Sequence, residues 1–221
     1  MRTLNRAGAM LLLLALATPA IADTVTIGTH DTPNGFPFGA ASGINPGTRY
    51  QQVYDSGEFS GPINISAITF FLYSGTTFRS ADYEVRLSTS KNPVNGLSST
   101  FDANVGADDK LFQTLSLSGS AGDLTISGAG FDYDPADGDL LLDMIITNGG
   151  STPSELAFFE AMSDSGGLFS RMHDFGEGFD DRGLVTQFTY TAQVIPLPPA
   201  AGMGLALLGS LALLRRLRKR R

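Results

Sequence analysis

The sequence contains no cysteine and no tryptophan in its 221 residues. Without thiols, neither a disulfide staple nor a thiolate metal site is available, and the fold must be held by its core and its hydrogen bonds. Without tryptophan, any stacking platform for sugar rings falls to tyrosine and phenylalanine. Positive charge is scarce outside the two ends. Of the 15 basic residues, Arg2 and Arg6 open the chain and Arg215, Arg216, Arg218, Lys219, Arg220 and Arg221 close it. The stretch between keeps seven basic residues against all 22 acidic ones, a net charge of −15. Such a segment repels nucleic acid and anionic lipid, which makes both poor partners for it. Between the ends the sequence also lacks a G-x-S-x-G elbow, a fixed-period repeat and any stretch with helical periodicity.

What is present begins with two tripartite ends. Arg2 and Arg6 precede an apolar run, Ala7 to Ala17, and Pro19 breaks it just before the small-x-small sequence Ala20-Ile21-Ala22. This predicts a secretory signal helix over residues 1–22, cut after Ala22 by signal peptidase, because the run is too short for a stable span. At the other end, residues 194–221, the stiff motif Ile195-Pro196-Leu197-Pro198-Pro199 leads into the uncharged segment Ala200 to Leu214 and then the basic cluster 215–221. Fifteen residues of helix span roughly 22 Å, less than the ~30 Å hydrocarbon core. The segment therefore reads as a single transmembrane helix that crosses with local thinning and snorkelling arginines. Its cationic end stays cytoplasmic, and the bulk of the chain lies outside.

This order of proline motif, short apolar helix and arginine-rich terminus resembles the PEP-CTERM sorting signal. Ile195-Pro196-Leu197-Pro198-Pro199-Ala200 is similar to the Val-Pro-Leu-Pro-Ala form of that signal and lacks the glutamate of the Pro-Glu-Pro form. The resemblance implies handling by an integral-membrane exosortase. It implies transient arrest at the inner membrane of a Gram-negative bacterium and cleavage near Pro196 to Pro198. Release or transfer to the cell surface or an exopolysaccharide-containing matrix would follow.

The segment 23–193 alternates apolar and polar residues in short runs between Gly, Asn and Pro turns. Ile63 and Ile65 alternate, then Ile68, Phe70 and Leu72 continue after a phase shift at Ala67 that predicts a β-bulge. Tyr83, Val85 and Leu87 share one face, as do Leu140, Leu142, Met144 and Ile146, and Leu184, Thr186, Phe188 and Tyr190. With Val25 to Ile27, Tyr50 to Tyr54, Leu115 to Leu117, Leu124 to Ile126 and Leu156 to Phe159, this gives nine to ten strands. The pattern predicts an all-β ectodomain, an antiparallel β-sandwich of jelly-roll type. Arg49-Tyr50-Gln51-Gln52-Val53-Tyr54, Phe131-Asp132-Tyr133-Asp134-Pro135, Gly138 to Asp143 and Gly183-Leu184-Val185-Thr186 resemble an ectodomain that recurs among PEP-CTERM proteins. The likeness covers most of residues 45–190 and carries no activity with it.

Residues with chemistry in reach are few. Asp132, Asp134, Asp137 and Asp139, with Asp143 beyond, form one acidic loop; Asp102, Asn104, Asp108 and Asp109 around Gly106 form another. Either is a candidate calcium clip between strands, although Pro135 and Ala136 break the EF-hand register and Asp-Pro and Asp-Gly are turn formers in their own right. No other cofactor is indicated. His30 and His173 read as exposed loop residues, too few to make a zinc site. Tyr50, Tyr54, Phe36, Phe38, Phe175 and Phe179 are candidates either for stacking on sugars or for plugging the sandwich ends. Together these features point to an exported, non-catalytic surface or matrix protein associated with polysaccharide. The alternative is a carbohydrate-active hydrolase on the same scaffold, for which Glu84, Glu155 and Glu160 are the first carboxylates to consider.

Overall fold

A computed structural model describes residues 21–39, 45–149, 156–163, 166–174 and 179–193. The leader through Ala20, the motif Ile195 to Ala200, the apolar segment 200–214 and the basic cluster 215–221 lie outside the described residues. So do Glu155 and Phe175. Among the described residues no helix is long and apolar enough to cross a membrane.

Fourteen strands appear among the described residues: β1 (Ala22–Ile27), β2 (Thr32–Asn34), β3 (Arg49–Tyr54), β4 (Ile63–Phe70), β5 (Leu72–Ser74), β6 (Thr77–Thr89), β7 (Lys110–Ser120), β8 (Leu124–Tyr133), β9 (Leu140–Gly149), β10 (Phe158–Ser163), β11 (Phe169–His173), β12 (Phe179–Asp180), β13 (Arg182–Leu184) and β14 (Thr186–Ala192). Three single 3-10 turns, Ser56–Glu58, Phe101–Ala103 and Pro135–Asp137, complete the set. Every named strand pair is antiparallel. One layer is a six-stranded sheet in the order β12-β11-β3-β9-β6-β7; the other joins β1-β14-β4-β8 to a small sheet, β13-β10-β2, with β5 beside β10.

Alternation places the core. Leu140, Leu142, Met144 and Ile146 of β9 and Tyr83, Val85 and Leu87 of β6 are almost wholly buried. They belong to one cluster with Ile63, Ile65, Ile68 and Phe70 of β4 and Phe188 of β14, from the opposite layer. The phase shift in β4 is a register shift between Ile65 and Ala67, which returns Ile68 and Phe70 to the core face. Tyr54 meets Phe188 edge to face at 5.0 Å, and Phe59 meets Tyr133 at 5.1 Å, tying the layers with aromatic contacts.

Two differences from the sequence reading stand out. The run Leu184 to Tyr190 is two strands, because Val185 leaves the ladder and its N–H bonds the Glu160 carbonyl of β10. The outer face of β9 is also buried: Leu141 and Asp143 are covered, as are Val53 and Met172 on neighbouring strands. The long β6–β7 connection supplies the cover, packing Leu97, Val94, Phe101 and Val105 onto that face as a second small core. Period-2 alternation does not reveal this, since the covering residues are a loop with no period of their own.

Candidate functional site

The end of the domain from which the chain leaves toward the proline motif is built by four strand ends. β14 and β4 run antiparallel, with Ala192 opposite Ile63, and Ile63 lies opposite Tyr133 of β8. Ala22 lies opposite Thr191, so the chain enters and leaves the fold side by side. Gln193 fixes the exit: its N–H bonds the Pro62 carbonyl at 2.9 Å, and its side-chain amide donates to Asp132. The Asp132 carboxylate also accepts from Asn64 Nδ2 at 2.6 Å.

The first acidic loop is at this end, and its carboxylates do different jobs. Asp132 clamps the exit. Asp134 caps the 3-10 turn Pro135–Asp137 by accepting from the Ala136 N–H at 3.0 Å. Asp139 joins two loops, accepting from the Ser56 N–H and the Val94 N–H, each at 3.0 Å. Tyr133, whose hydroxyl donates to the Gly138 carbonyl, has its pKa raised by burial first and then by Asp139, Asp55, Asp134 and Asp137. Asp143 points to the other sheet face, where it receives the guanidinium of Arg49.

The second acidic loop is likewise distributed among anchoring roles. Asn104 is fully buried: its Oδ1 accepts from Asn92 Nδ2 and the Ser98 N–H, and its Nδ2 donates to Gln51 Oε1 and the Ser98 carbonyl. Asp108 accepts from the backbone and hydroxyl of Thr89, and Asp109 takes a two-pronged bond from Arg86. Asp102 pairs with Arg49, whose guanidinium also lies 5.5 Å from the Phe101 ring. That pairing lowers the Asp102 pKa through hydrogen bond and charge. Burial alone would ease Arg49 toward deprotonation, but Asp143 and Asp102 outweigh it and hold its pKa above the ordinary value. Gly106 is required for close approach rather than for gathering oxygens, since a Cβ there would lie 2.1 Å from the Thr89 carbonyl oxygen. Among the described residues no three metal-ligating side chains are grouped.

The aromatics lie deeper than expected. Tyr50, Tyr54 and Phe38 are fully buried, because β3 is an interior strand flanked by β9 and β11 and Phe38 packs on Phe70, Tyr83 and Phe159. Burial raises the Tyr50 hydroxyl to a pKa of about 12. Phe36 is half-buried against His173, ring centres 4.9 Å apart, and beneath the Arg171 guanidinium. His173 is therefore not an exposed loop residue: it ends β11, 5 % exposed, with Nε2 3.9 Å from Asp180. Asp180 takes a two-pronged bond from Arg171. Its partial burial would raise its pKa, yet hydrogen bonds from His173 and Arg171 outweigh that and hold it well below the carboxylate range. The β11–β12 hairpin carrying these residues is broken by glycine and charge in the sequence and shows no clear alternation. His30 is exposed as expected, 3.4 Å from Glu160.

Of the carboxylates considered for hydrolysis, Glu84 lines an open concavity of about 330 Å³ on the outer face of β6 and β7, with Asp82, Thr114, Ser116 and Thr147. Asp82 is partly exposed, and hydrogen bonds from Ser116 and Asn148 lower its pKa, the opposite of what a general acid needs. No protein-family model matches the sequence, and no curated protein matches it.

Proposed function

We propose that the chain is an exported, exosortase-sorted protein of the cell surface or extracellular matrix, non-catalytic and associated with exopolysaccharide, displayed by a jelly-roll-like β-sandwich. The observation that carries the reading is the order of elements at the C-terminus: the last strand ends at Ala192, Gln193 is clamped, and the proline motif begins two residues later at Ile195. A sorting tail joined so closely to a finished sheet suits a domain that is passively displayed. Most successive long strands change sheet, β3 to β4, β4 to β6, β7 to β8 and β8 to β9, while β6 and β7 are hairpin neighbours in one sheet, and these crossings support the jelly-roll description. The non-catalytic reading draws support from the carboxylates, which the fold spends on backbone N–H groups and arginines. The segment 1–22 is the secretory signal of this scheme, its helix ending before Ala22, which opens β1, and 200–214 is its transmembrane helix.

The test is removal of Arg215 to Arg221 in the full chain. Loss of the cationic stop should shift the protein from tail-dependent processing to unprocessed release, seen as a change in mass and in the fraction recovered from membranes. Unchanged mass and location would sink the reading. Association with polysaccharide is checked by co-sedimentation of the secreted form with the producer's own matrix.

A further inference from the structure

Buried donors outnumber acceptors at one edge of the sandwich, where the β11–β12 hairpin meets β13 and β2. Arg171 is 3 % exposed, and its Nε and Nη2 are spent on Asp180 at 2.7 and 2.8 Å. Its buried Nη1 finds no acceptor among the described residues. The same holds for Nδ2 of Asn34, 6 % exposed, and for the buried Nε of Arg182. Register and contacts bring the three together. Thr32, Asn34 and Arg182 share the face of the small sheet that carries the core residues Phe159 and Ala161. Arg171 shares the face of β11 that carries the core residue Phe169. Arg182 reaches over Ala161 to donate from Nη2 to Thr32 Oγ1 at 2.6 Å, and its backbone N–H donates to Asp180 at 3.1 Å. Phe36 donates its N–H to Asn34 Oδ1 at 2.9 Å, and its ring centre lies 5.8 Å from the Arg171 guanidinium.

The fold's own acceptors here are taken. Asp180 Oδ1 accepts from Arg171 and Arg182, and Oδ2 from Arg171 with His173 3.9 Å away. Gln52 Oε1 accepts from the Tyr50 hydroxyl and the Leu184 N–H. That hydroxyl is near Arg171 but leaves Nη1 unpaired. A buried charged donor without an acceptor is costly, so a partner offering oxygens and no protons is favoured. Water suits the site less well, because its own two protons would need acceptors that are already engaged. Two guanidiniums against the one carboxylate of Asp180 leave a single positive charge over. Asp31, Asp174 and Asp181, next in the chain to these elements, are exposed and screened by solvent. A monoanion therefore balances the site. A carboxylate has two oxygens with about four acceptor positions, enough for all three donors, and its plane matches a guanidinium edge. Phe36 and Arg182 are only half-buried, which gives such a group a way in.

We propose that this edge of the sandwich binds a monoanionic carboxylate, held between the layers by Arg171 Nη1, Arg182 Nε and Asn34 Nδ2. None of these residues belongs to the tail, so the site stands or falls apart from the sorting reading.

The experiment follows the melting temperature of the full-length chain in mild detergent while about 100 mM chloride is exchanged stepwise for acetate at constant ionic strength. Two variants accompany the wild type. Asn34→Asp keeps the oxygen that accepts from Phe36 and puts a carboxylate oxygen in place of Nδ2, supplying the anion from within the chain. Arg182→Gln removes one donor and the surplus charge. Circular dichroism checks that both keep the fold. The wild type should rise by about 5 °C along a saturating curve, and both variants should respond by less than about 1 °C, Asn34→Asp starting higher in chloride. A wild type with no saturating rise overturns the site. An equal rise in all three chains overturns it too, since acetate then acts elsewhere. A larger variant-dependent rise with sulfate overturns the carboxylate in favour of a dianion. Glucuronate in place of acetate separates the sources: the same variant-dependent rise supports a carboxylate carried on a sugar, and a rise with acetate alone supports a small free acid.

Discussion

Asp139 shows how this acidic domain uses its carboxylates. One oxygen holds the Ser56 N–H and the other the Val94 N–H, so a single side chain joins the β3–β4 loop to the β6–β7 loop. Asp139→Ala should strand two backbone donors and lower stability by about 2–3 kcal/mol, read from urea unfolding. Chelator should leave the wild-type melting temperature unchanged, since protein donors already occupy these oxygens; a fall would show that an ion shares them. Asp180 gives a pH signature. Its folded pKa lies below the ordinary value of about 3.9, so its contribution is fully present above that value and is lost as pH falls through the folded pKa. Asp180→Asn should leave Arg171, 3 % exposed, without its carboxylate and cost about 2 kcal/mol near pH 7. The figure sits at the low end because the Asp180 side chain is 37 % exposed and solvent screens the pair. The wild-type advantage over the variant should be full above about pH 5 and shrink progressively as pH falls below about 4. Parallel curves over that range would mean the carboxylate does no such work.

The connection between β6 and β7 is the element that the sequence shows least and the fold uses most. It closes over Val53, Leu141 and Met172, and Asn104 is its fastener, with four hydrogen bonds from one buried side chain. Asn104→Ala should cost about 2–4 kcal/mol, with faster amide exchange confined to residues 90–109 while the β9 ladder stays protected. A uniform loss of protection would show that the loop is not a separate unit. The same contrast explains what could be read from sequence alone. Ile63 to Phe70 and Leu140 to Ile146 announced their strands, and even the β4 register shift, because a face buried against one layer leaves a period of two. Tyr50 and Tyr54 were legible as strand residues but not as core, because Gln51 and Gln52 put a polar side chain on each face of the strand. Both are in fact buried, Gln51 against Asn104 on one face and Gln52 against Leu184 on the other, each amide satisfied by a specific partner. Asp102, Asn104, Asp108 and Asp109 looked like one oxygen-rich loop because sequence shows adjacency. It cannot show that each side chain turns toward a different partner.

At the scale of the whole molecule, the first strand pairs with the last. β1 runs along β14 from Ala22–Thr191 to Ile27–Thr186, so this layer is completed only when the final residues of the domain have emerged. Among the described residues its ladder is the longest-range strand pairing, the kind that forms late because closure of the intervening loop must come first. On the export reading proposed above, folding would finish as the apolar segment arrives, and the position of an N-terminal cut would then be consequential. A cut after Ala22 removes one paired residue and keeps Val25 and the buried Ile27 in place. N-terminal sequencing of the secreted form should therefore begin at Asp23. A chain starting at Gly28 should lose about 3 kcal/mol, chiefly from the missing Ile27 side chain and the unpaired edge of β14. It should also self-associate, because β14 would then present an open ladder of N–H and C=O groups with Phe188 behind it. Sedimentation at two concentrations decides the matter: a concentration-dependent dimer in the shortened chain, against a monomer starting at Asp23, is the expected result. A shortened chain that stays monomeric and equally stable would mean that β1 is decoration on a sheet already complete without it.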